Sequence, residues 1–196
     1  MWIIKIMNNI FYLSSISSFS NNSVLESIIS ECNNLTLREG LTGHEDKSSE
    51  IRKSQIAFFE DKNIPLNKLM YDIATEVNEE HFGFDINNTQ HIQYSVYKES
   101  DLGKYDWHID TNFLNNNFTQ RKLSIVLQLS DPADYEGGQL ELDVNDYGID
   151  WGDFQQYANQ KGSLIVFPSF IRHRVTPVTK GIRKSLITWV TGANFR

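Results

Sequence analysis

Cysteine is all but missing from this sequence: Cys32 stands alone among 196 residues. No disulfide can form within the chain, and no cysteine-based zinc site can be assembled. This fits a reducing compartment and an expected cytoplasmic location. Positive charge is also in the minority. Eighteen Lys and Arg face 25 Asp and Glu, for a net charge of −7 and a pI near 5.2. A nucleic-acid backbone or an anionic membrane wants a basic face, so neither is expected as the main partner, although a local basic patch is compatible with this balance. No segment reaches the roughly 18 apolar residues that a membrane helix needs. The start, MWIIKIMNNIFYLSSISSF, is apolar, yet Lys5 and the Asn8-Asn9 pair break the run and no small-residue cleavage site follows. Residues 2–7 read instead as a strand. Repeats and low-complexity linkers are absent.

What is present describes a globular chain. Hydrophobic residues make up 40% and aromatics 12%, and the length suits one domain with a sizeable core. Ser23 with Glu26 three residues on has the spacing of a capping box. Val24, Leu25, Ile28, Ile29 and Cys32 then share one helical face, and Asn33-Asn34 ends it. Pro65 suits the first turn of a second helix, along which Leu66, Leu69, Ile73 and Val77 repeat. Between these helices only a short strand at 55–59 is expected. From residue 90 the texture changes to period-2 runs divided by turn residues. Strands are expected near 91–97, 105–110, 122–129, 138–142, 162–168, 172–178 and 183–191, with a turn at Thr179-Lys180-Gly181 and an excursion at 143–161. So many short antiparallel strands hide their edges by packing as two sheets or a barrel. The expected organisation is a single domain over 1–196, mainly β with flanking helices, in which 1–88 supports a core at 89–196.

Within WHIDTNF, residues 107–113, His108 and Asp110 lie two apart. On a strand they point to the same face and reach one point. A chance H-x-D in a chain with five histidines is common, and a solvated strand face explains the pair equally well. A facial iron triad needs one more histidine. His44, His81, His91 and His173 are the candidates, of which His173 follows an apolar strand and precedes a hairpin. Further on, Arg183, Ser185, Ile187 and Trp189 alternate on one strand face. An inward arginine requires an anion, because an unpaired buried charge is costly. A dicarboxylate would supply one, its distal end forked by the guanidinium and assisted by the serine hydroxyl. A solvent-facing Arg183, or one paired with a core acid, is the alternative.

Three segments carry a specific resemblance: YKESDLGKYDWHID, RKLSIVLQLSDPADYEGGQLEL and KGSLIVFPSFIRHRVTPVTKGIRKSLITWV. The order and spacing of H-x-D, the EGG turn, G-S-L-I-V-F-P, H-R-V-x-P-V and R-x-S resemble the Fe(II)- and 2-oxoglutarate-dependent dioxygenases, nearest the prolyl-hydroxylase and PKHD-type branch. The resemblance covers about half the chain. It implies a double-stranded β-helix of jelly-roll or cupin-like type. It makes His108, Asp110 and His173 the iron ligands and Arg183, with Ser185, the partner of the 2-oxoglutarate distal carboxylate. Tyr97 falls where the family often has a tyrosine near the cosubstrate, although a core tyrosine fits as well. Gln128 stands where some relatives place a carboxylate-binding tyrosine, a departure that leaves its role open. Trp189 reads as a packing wall.

The implied cofactors are Fe(II), 2-oxoglutarate as cosubstrate and O2, with ascorbate as an optional addition. Halogenases of this superfamily lose the carboxylate ligand, so the presence of Asp110 implies hydroxylation of an unactivated C–H. The expected substrate is a prolyl residue in a peptide or protein, with a free amino acid or small metabolite second. An inactive barrel serving as a binding module and a cupin-type metal enzyme without cosubstrate are the rivals. Loops at 36–54, 111–121 and 143–160, carrying Phe113, Phe118, Trp151 and Tyr157, are expected over the site. Asparagine- and isoleucine-rich usage hints at an AT-rich genome, bacterial or viral, and so at a bacterium or a virus-infected host cell.

Overall fold

Alternating side chains along the second half of the chain have two faces to bury, and the computed structural model gives them two antiparallel sheets. It describes residues 6–8, 11–15, 22–41, 48–59, 64–111, 119–144 and 151–195. Expectations for Trp2, His44, Phe113, Phe118 and the side chain of Trp151 fall outside these residues.

In chain order the strands are β1 (Ile6–Asn8), β2 (Phe11–Ser15), β3 (Arg38–Glu39), β4 (Arg52–Lys53), β5 (Gln55–Phe58), β6 (Asn88–Thr89), β7 (Gln93–Lys98), β8 (Lys104–His108), β9 (Thr119–Gln128), β10 (Tyr135–Gly137), β11 (Leu140–Leu142), β12 (Ser163–Pro168), β13 (His173–Val175) and β14 (Val178–Ala193). The helices are α1 (Asn22–Asn33), α2 (Ser48–Ile51), α3 (Ile64–Val77) and α4 (Trp151–Ala158). The larger sheet runs β1-β2-β12-β9-β14-β7-β5-β3, with β10 and β6 also paired to β14. The smaller sheet runs β11-β13-β8-β4. This is a double-stranded β-helix with helices outside it.

The two faces of the larger sheet do different work. Leu186 and Val190 of β14, Leu123, Ile125 and Leu127 of β9 and Leu164 and Val166 of β12 bury themselves under α1 and α3. The helices answer with Leu25, Ile28 and Cys32, and with Leu66, Met70, Ala74 and Val77. The buried stripe of α3 thus runs through Met70 and Ala74, while Leu69 and Ile73 stay half-buried. In α1, Val24 is exposed. The opposite face of the larger sheet turns toward the smaller sheet. Val126, Ile165 and Phe167 pack there with Leu140, Leu142 and Phe154, whose helix α4 fills the expected excursion, and Tyr157 packs against the same cluster.

Two expectations need correction. No turn interrupts residues 179–181. β14 runs unbroken from Val178, and Gly181 takes a left-handed φ of 71° inside it. A Cβ there would lie 2.0 Å from the Asp134 carbonyl oxygen, so the glycine lets β10 approach. The expected strand at 172–178 accordingly stops at Val175. Among the described residues no helix is long and apolar enough to cross a membrane.

Candidate active site

β8 and β13 are neighbours in the smaller sheet, and His108 pairs directly with His173 across them. The chain leaves β8 and places Asp110 beside both rings. Its carboxylate oxygens lie 3.7 Å from His108 Nε2 and 3.4 Å from His173 Nε2. One ligand atom from each of the three residues falls within 4.8 Å of the others. Both rings are oriented by backbone. His108 Nδ1–H donates to the Asp106 carbonyl at 2.7 Å and His173 Nδ1–H to the Ile171 carbonyl at 2.9 Å. A carbonyl only accepts, so the proton belongs on Nδ1 and each Nε2 lone pair faces Asp110.

The carboxylate is held too. Ser124 Oγ donates to Asp110 at 2.6 Å, and Ser124 in turn contacts Ser169 Oγ at 3.0 Å. The Ser169 carbonyl accepts the backbone N–H of Asp110 and of Thr111. Electrostatics follow from this crowding. Burial, then the neighbouring His173, push the His108 imidazole down to about 4. Burial works against a charged Asp110, but the two histidines and Ser124 together hold its carboxyl well below the usual carboxylate range. Burial also opposes a charged His173, yet Asp110 outweighs it and raises that ring. One proton or one cation can therefore sit among these three groups. Two imidazole nitrogens and one carboxylate suit a divalent transition metal.

The triad opens on a cavity of about 330 Å3 lined by both sheets. Arg183 and Ser185 reach it from β14, as does Tyr97, which pairs with Arg183 across β7. Arg183 is 3% exposed, and no acid among the described residues pairs with it. Its Nη1 donates to Ser185 Oγ at 3.3 Å, its Nε has no partner, and its guanidinium lies 5.7 Å from the Tyr97 ring. A buried guanidinium with unused donors, aimed into a cavity beside a hydroxyl, fits a carboxylate ligand.

Gln128 does not line the cavity. Its Nε2 donates to Tyr135 Oη at 2.9 Å, and the Arg183 charge acts on that hydroxyl. Burial raises the Tyr135 hydroxyl, which stays a neutral phenol. Trp189 does line the cavity, with the Arg121 guanidinium 3.7 Å from its ring centroid.

The remaining sequence candidates lie elsewhere. His81 sits on the π-helical turn Asn78–Phe82, and His91 is exposed before β7. Sequence reasoning missed Ser124, Tyr135, Arg52 and Arg121. Ser124 was visible as a polar residue on the inward face of an apolar strand.

A family model described as the 2OG-Fe(II) oxygenase superfamily matches residues 92–191. The chain belongs to this superfamily. A PKHD-type hydroxylase of Gloeothece citriformis is 40% identical over 100 residues, covering 50% of this chain and 43% of that one. A PKHD-type hydroxylase of Colwellia psychrerythraea is 34% identical over 138 residues, covering 63% and 59%. The chain thus spans about half the length of these curated relatives. Among solved structures, a Pseudomonas putida prolyl-4-hydroxylase superposes with a TM-score of 0.63 at 20% identity, covering 86% of this chain and 85% of that one. A Trichoplax adhaerens prolyl hydroxylase, in complex with a hypoxia inducible factor oxygen degradation domain peptide fragment, gives 0.69 at 20%, covering 93% and 84%. At these identities the likeness concerns the fold. The superfamily's cofactors are Fe(II), 2-oxoglutarate and O2, and the donor sets just described fit the first two.

Proposed function

We propose that the protein is an Fe(II)- and 2-oxoglutarate-dependent hydroxylase, with His108, Asp110 and His173 as the metal ligands. Residues 89–196 form its catalytic core and 1–88 brace it. The observation that carries this reading is one cavity shared by a three-donor cluster and a buried arginine without an acid partner. When bound, Fe(II) with 2-oxoglutarate and O2 supplies oxidative decarboxylation to succinate and CO2 coupled to hydroxylation of a C–H bond. The chain's own residues do the rest. Arg183 binds the distal carboxylate of 2-oxoglutarate and Ser185 adds a donor. Tyr97 stands beside that guanidinium and completes the pocket wall. Gln128 holds the Tyr135 hydroxyl, which feels the Arg183 charge, and so acts on the cosubstrate through its neighbours. Ser124 fixes the rotamer of Asp110, and the two backbone carbonyls keep both Nε2 atoms unprotonated for the metal.

The substrate proposed is a prolyl residue of a peptide or protein. Its support is the PKHD-type relatives and the fold shared with prolyl hydroxylases. A free amino acid or small metabolite is the second reading, favoured by the cationic lining considered next. Anaerobic titration with Fe(II) and 2-oxoglutarate tests the proposal. The weak visible charge-transfer band of the chelate is expected, and its absence in the wild type defeats the reading. Succinate release against proline-rich peptides and free amino acids, with ascorbate present and products weighed for one added oxygen, then separates the substrates.

A further inference from the structure

Besides Arg183, two more arginines line the same cavity. Arg52 comes from β4 at the edge of the smaller sheet and is 6% exposed. Arg121 comes from β9 of the larger sheet. Among the described residues their hydrogen-bond and stacking partners are neutral, and the one carboxylate acting on either is Asp110, near Arg121. Arg52 Nε donates to Ser54 Oγ at 2.8 Å, and its guanidinium lies 4.7 Å from the Tyr105 ring. Arg121 donates to Gln90 Oε1 at 2.8 Å and to the Asp110 carbonyl, and stacks on Trp189. Aromatic faces and amides hold a guanidinium in place but do not neutralise it.

The contrast with the surface is direct. Arg172 and Arg174 also stack on an aromatic ring, Trp107, yet they face Asp143 at 3.5 Å and Glu141 at 2.7 Å. Of the described residues lining the cavity, only Asp110 carries a carboxylate. A protein of net charge −7 has therefore gathered three cations around one anion.

Charge balance says what is missing. Resting on the Fe(II) and 2-oxoglutarate reading, the metal dication and the cosubstrate dianion cancel, Asp110 offsets one of the three arginines, and Arg183 is engaged by the cosubstrate. Arg52 and Arg121 are left over. Both are one contact from the triad: Tyr105, under Arg52, stacks on His108 with centroids 3.5 Å apart, and Arg121 touches the Asp110 backbone. We propose that Arg52 and Arg121 bind a carboxylate of the substrate, drawn between the two sheets beside the metal. The substrate is thus an acid. Its carboxylate belongs either to a free amino acid or chain end, or to an acidic side chain next to the hydroxylated residue.

Three probe pairs test this by calorimetric titration of the protein loaded with Mn(II) and 2-oxoglutarate, which binds without turnover. N-acetyl-L-proline against its amide reads a chain-end carboxylate. N-acetyl-L-leucine against its amide reads the same charge without the proline ring. N-acetyl-Pro-Glu-amide against N-acetyl-Pro-Gln-amide reads an acidic side chain. In at least one pair the acid is expected to bind ~10-fold or more tightly than its neutral partner, the scale of one hydrogen bond to a charged group. Arg52→Gln and Arg121→Gln should each erase that preference, and Arg52→Lys should restore part of it, which a merely structural clasp would not do. Equal binding of acid and neutral partner in all three pairs, no binding of any probe, or a preference indifferent to both arginines overturns the proposal. The two readings fail separately, because the Fe(II)–2-oxoglutarate band is recorded without any probe.

Discussion

His108 and His173 face each other as a cross-strand pair, with ring centroids 4.2 Å apart and Asp110 within reach of both Nε2 atoms. Sheet pairing thus sets the distance between two of the donors, and the residues that follow β8 deliver the third. Removing Asp110 takes from the pair the one negative charge that lines the cavity among the described residues. Asp110→Ala is expected to lower hydroxylation by at least ~100-fold, beyond the usual reach of an outer-shell change. Metal content by mass spectrometry and product formation check this, and near-normal values for both would exclude Asp110 as a ligand.

Among the described residues no acid pairs with Arg183, and under the proposed function its carboxylate partner comes with the cosubstrate. Arg183→Ala should remove a charge-assisted contact of roughly 2–5 kcal/mol, which raises the 2-oxoglutarate KM by ~30-fold or more. Initial rates over a range of 2-oxoglutarate concentrations measure it. An unchanged KM would turn that arginine into a structural one.

Among the described residues Ser124 reaches the proposed metal site through Asp110. Ser124→Ala should weaken Fe(II) binding by ~10–100-fold, as outer-shell losses do. Ser124→Thr keeps the hydroxyl and should recover most of it. Competition with a chelating dye provides the affinities; equal loss in both variants would point to packing instead of the hydrogen bond.

Gly138 sits at a left-handed φ of 61°, and a Cβ built on it lies 3.0 Å from Arg183 Cδ. Gly138→Ala is expected to cost about 1–2 kcal/mol in backbone strain, a drop of roughly 2–8 °C in Tm. It should also raise the 2-oxoglutarate KM, because Arg183 must move. A thermal shift without a change in KM would separate the turn from the arginine.

Protons and metal compete for one place. Asp110 raises the His173 pKa, while burial pushes His108 down to about 4. Falling pH therefore protonates His173 first, and Fe(II) affinity should drop as pH falls through its raised pKa, well before His108 titrates. In the metal-free protein the His173 contribution to stability is fully present below about 6.5 and lost as pH rises through the folded value. His108 has the opposite sign: its neutral burial costs stability as pH falls from about 6.5 toward its folded value. NMR of the imidazole carbons follows each ring. Simultaneous titration of both near 6.5 would contradict this order.

Much of the site was legible because strand alternation is a local rule. Residues 183, 185, 187 and 189 turn the same way whatever the rest of the chain does, but the strand expected at 105–110 ends at His108, and Asp110 reaches the site from the bend that follows. Arg121 obeyed no such rule. Val190 pairs with Leu123 but Thr191 pairs with Arg121, so a register shift at Lys122 turns Arg121 to the inward face that Ser124 already occupies. One extra residue in a strand inverts the parity of everything beyond it, and no local pattern announces it. Gly181 hid itself differently. Its Thr179-Lys180-Gly181 setting reads as a turn, yet Gly181 pairs with Tyr135 within a continuous strand, and the register shift falls at Thr179, between the pairings of Lys180 with Glu136 and of Val178 with Gly137.

By itself the sequence determined the sheet-forming half, the order of its motifs and the close spacing of His108 and Asp110, because each rests on residue type and local pattern, whereas His173 stood among four histidine candidates until the family resemblance singled it out. Tertiary structure alone decided that Arg52, from an edge strand of one sheet, and Arg121, from a shifted strand of the other, share a cavity with the triad. That meeting depends on how two sheets fold over one another, and pairings between residues far apart in the chain leave no periodic trace in it.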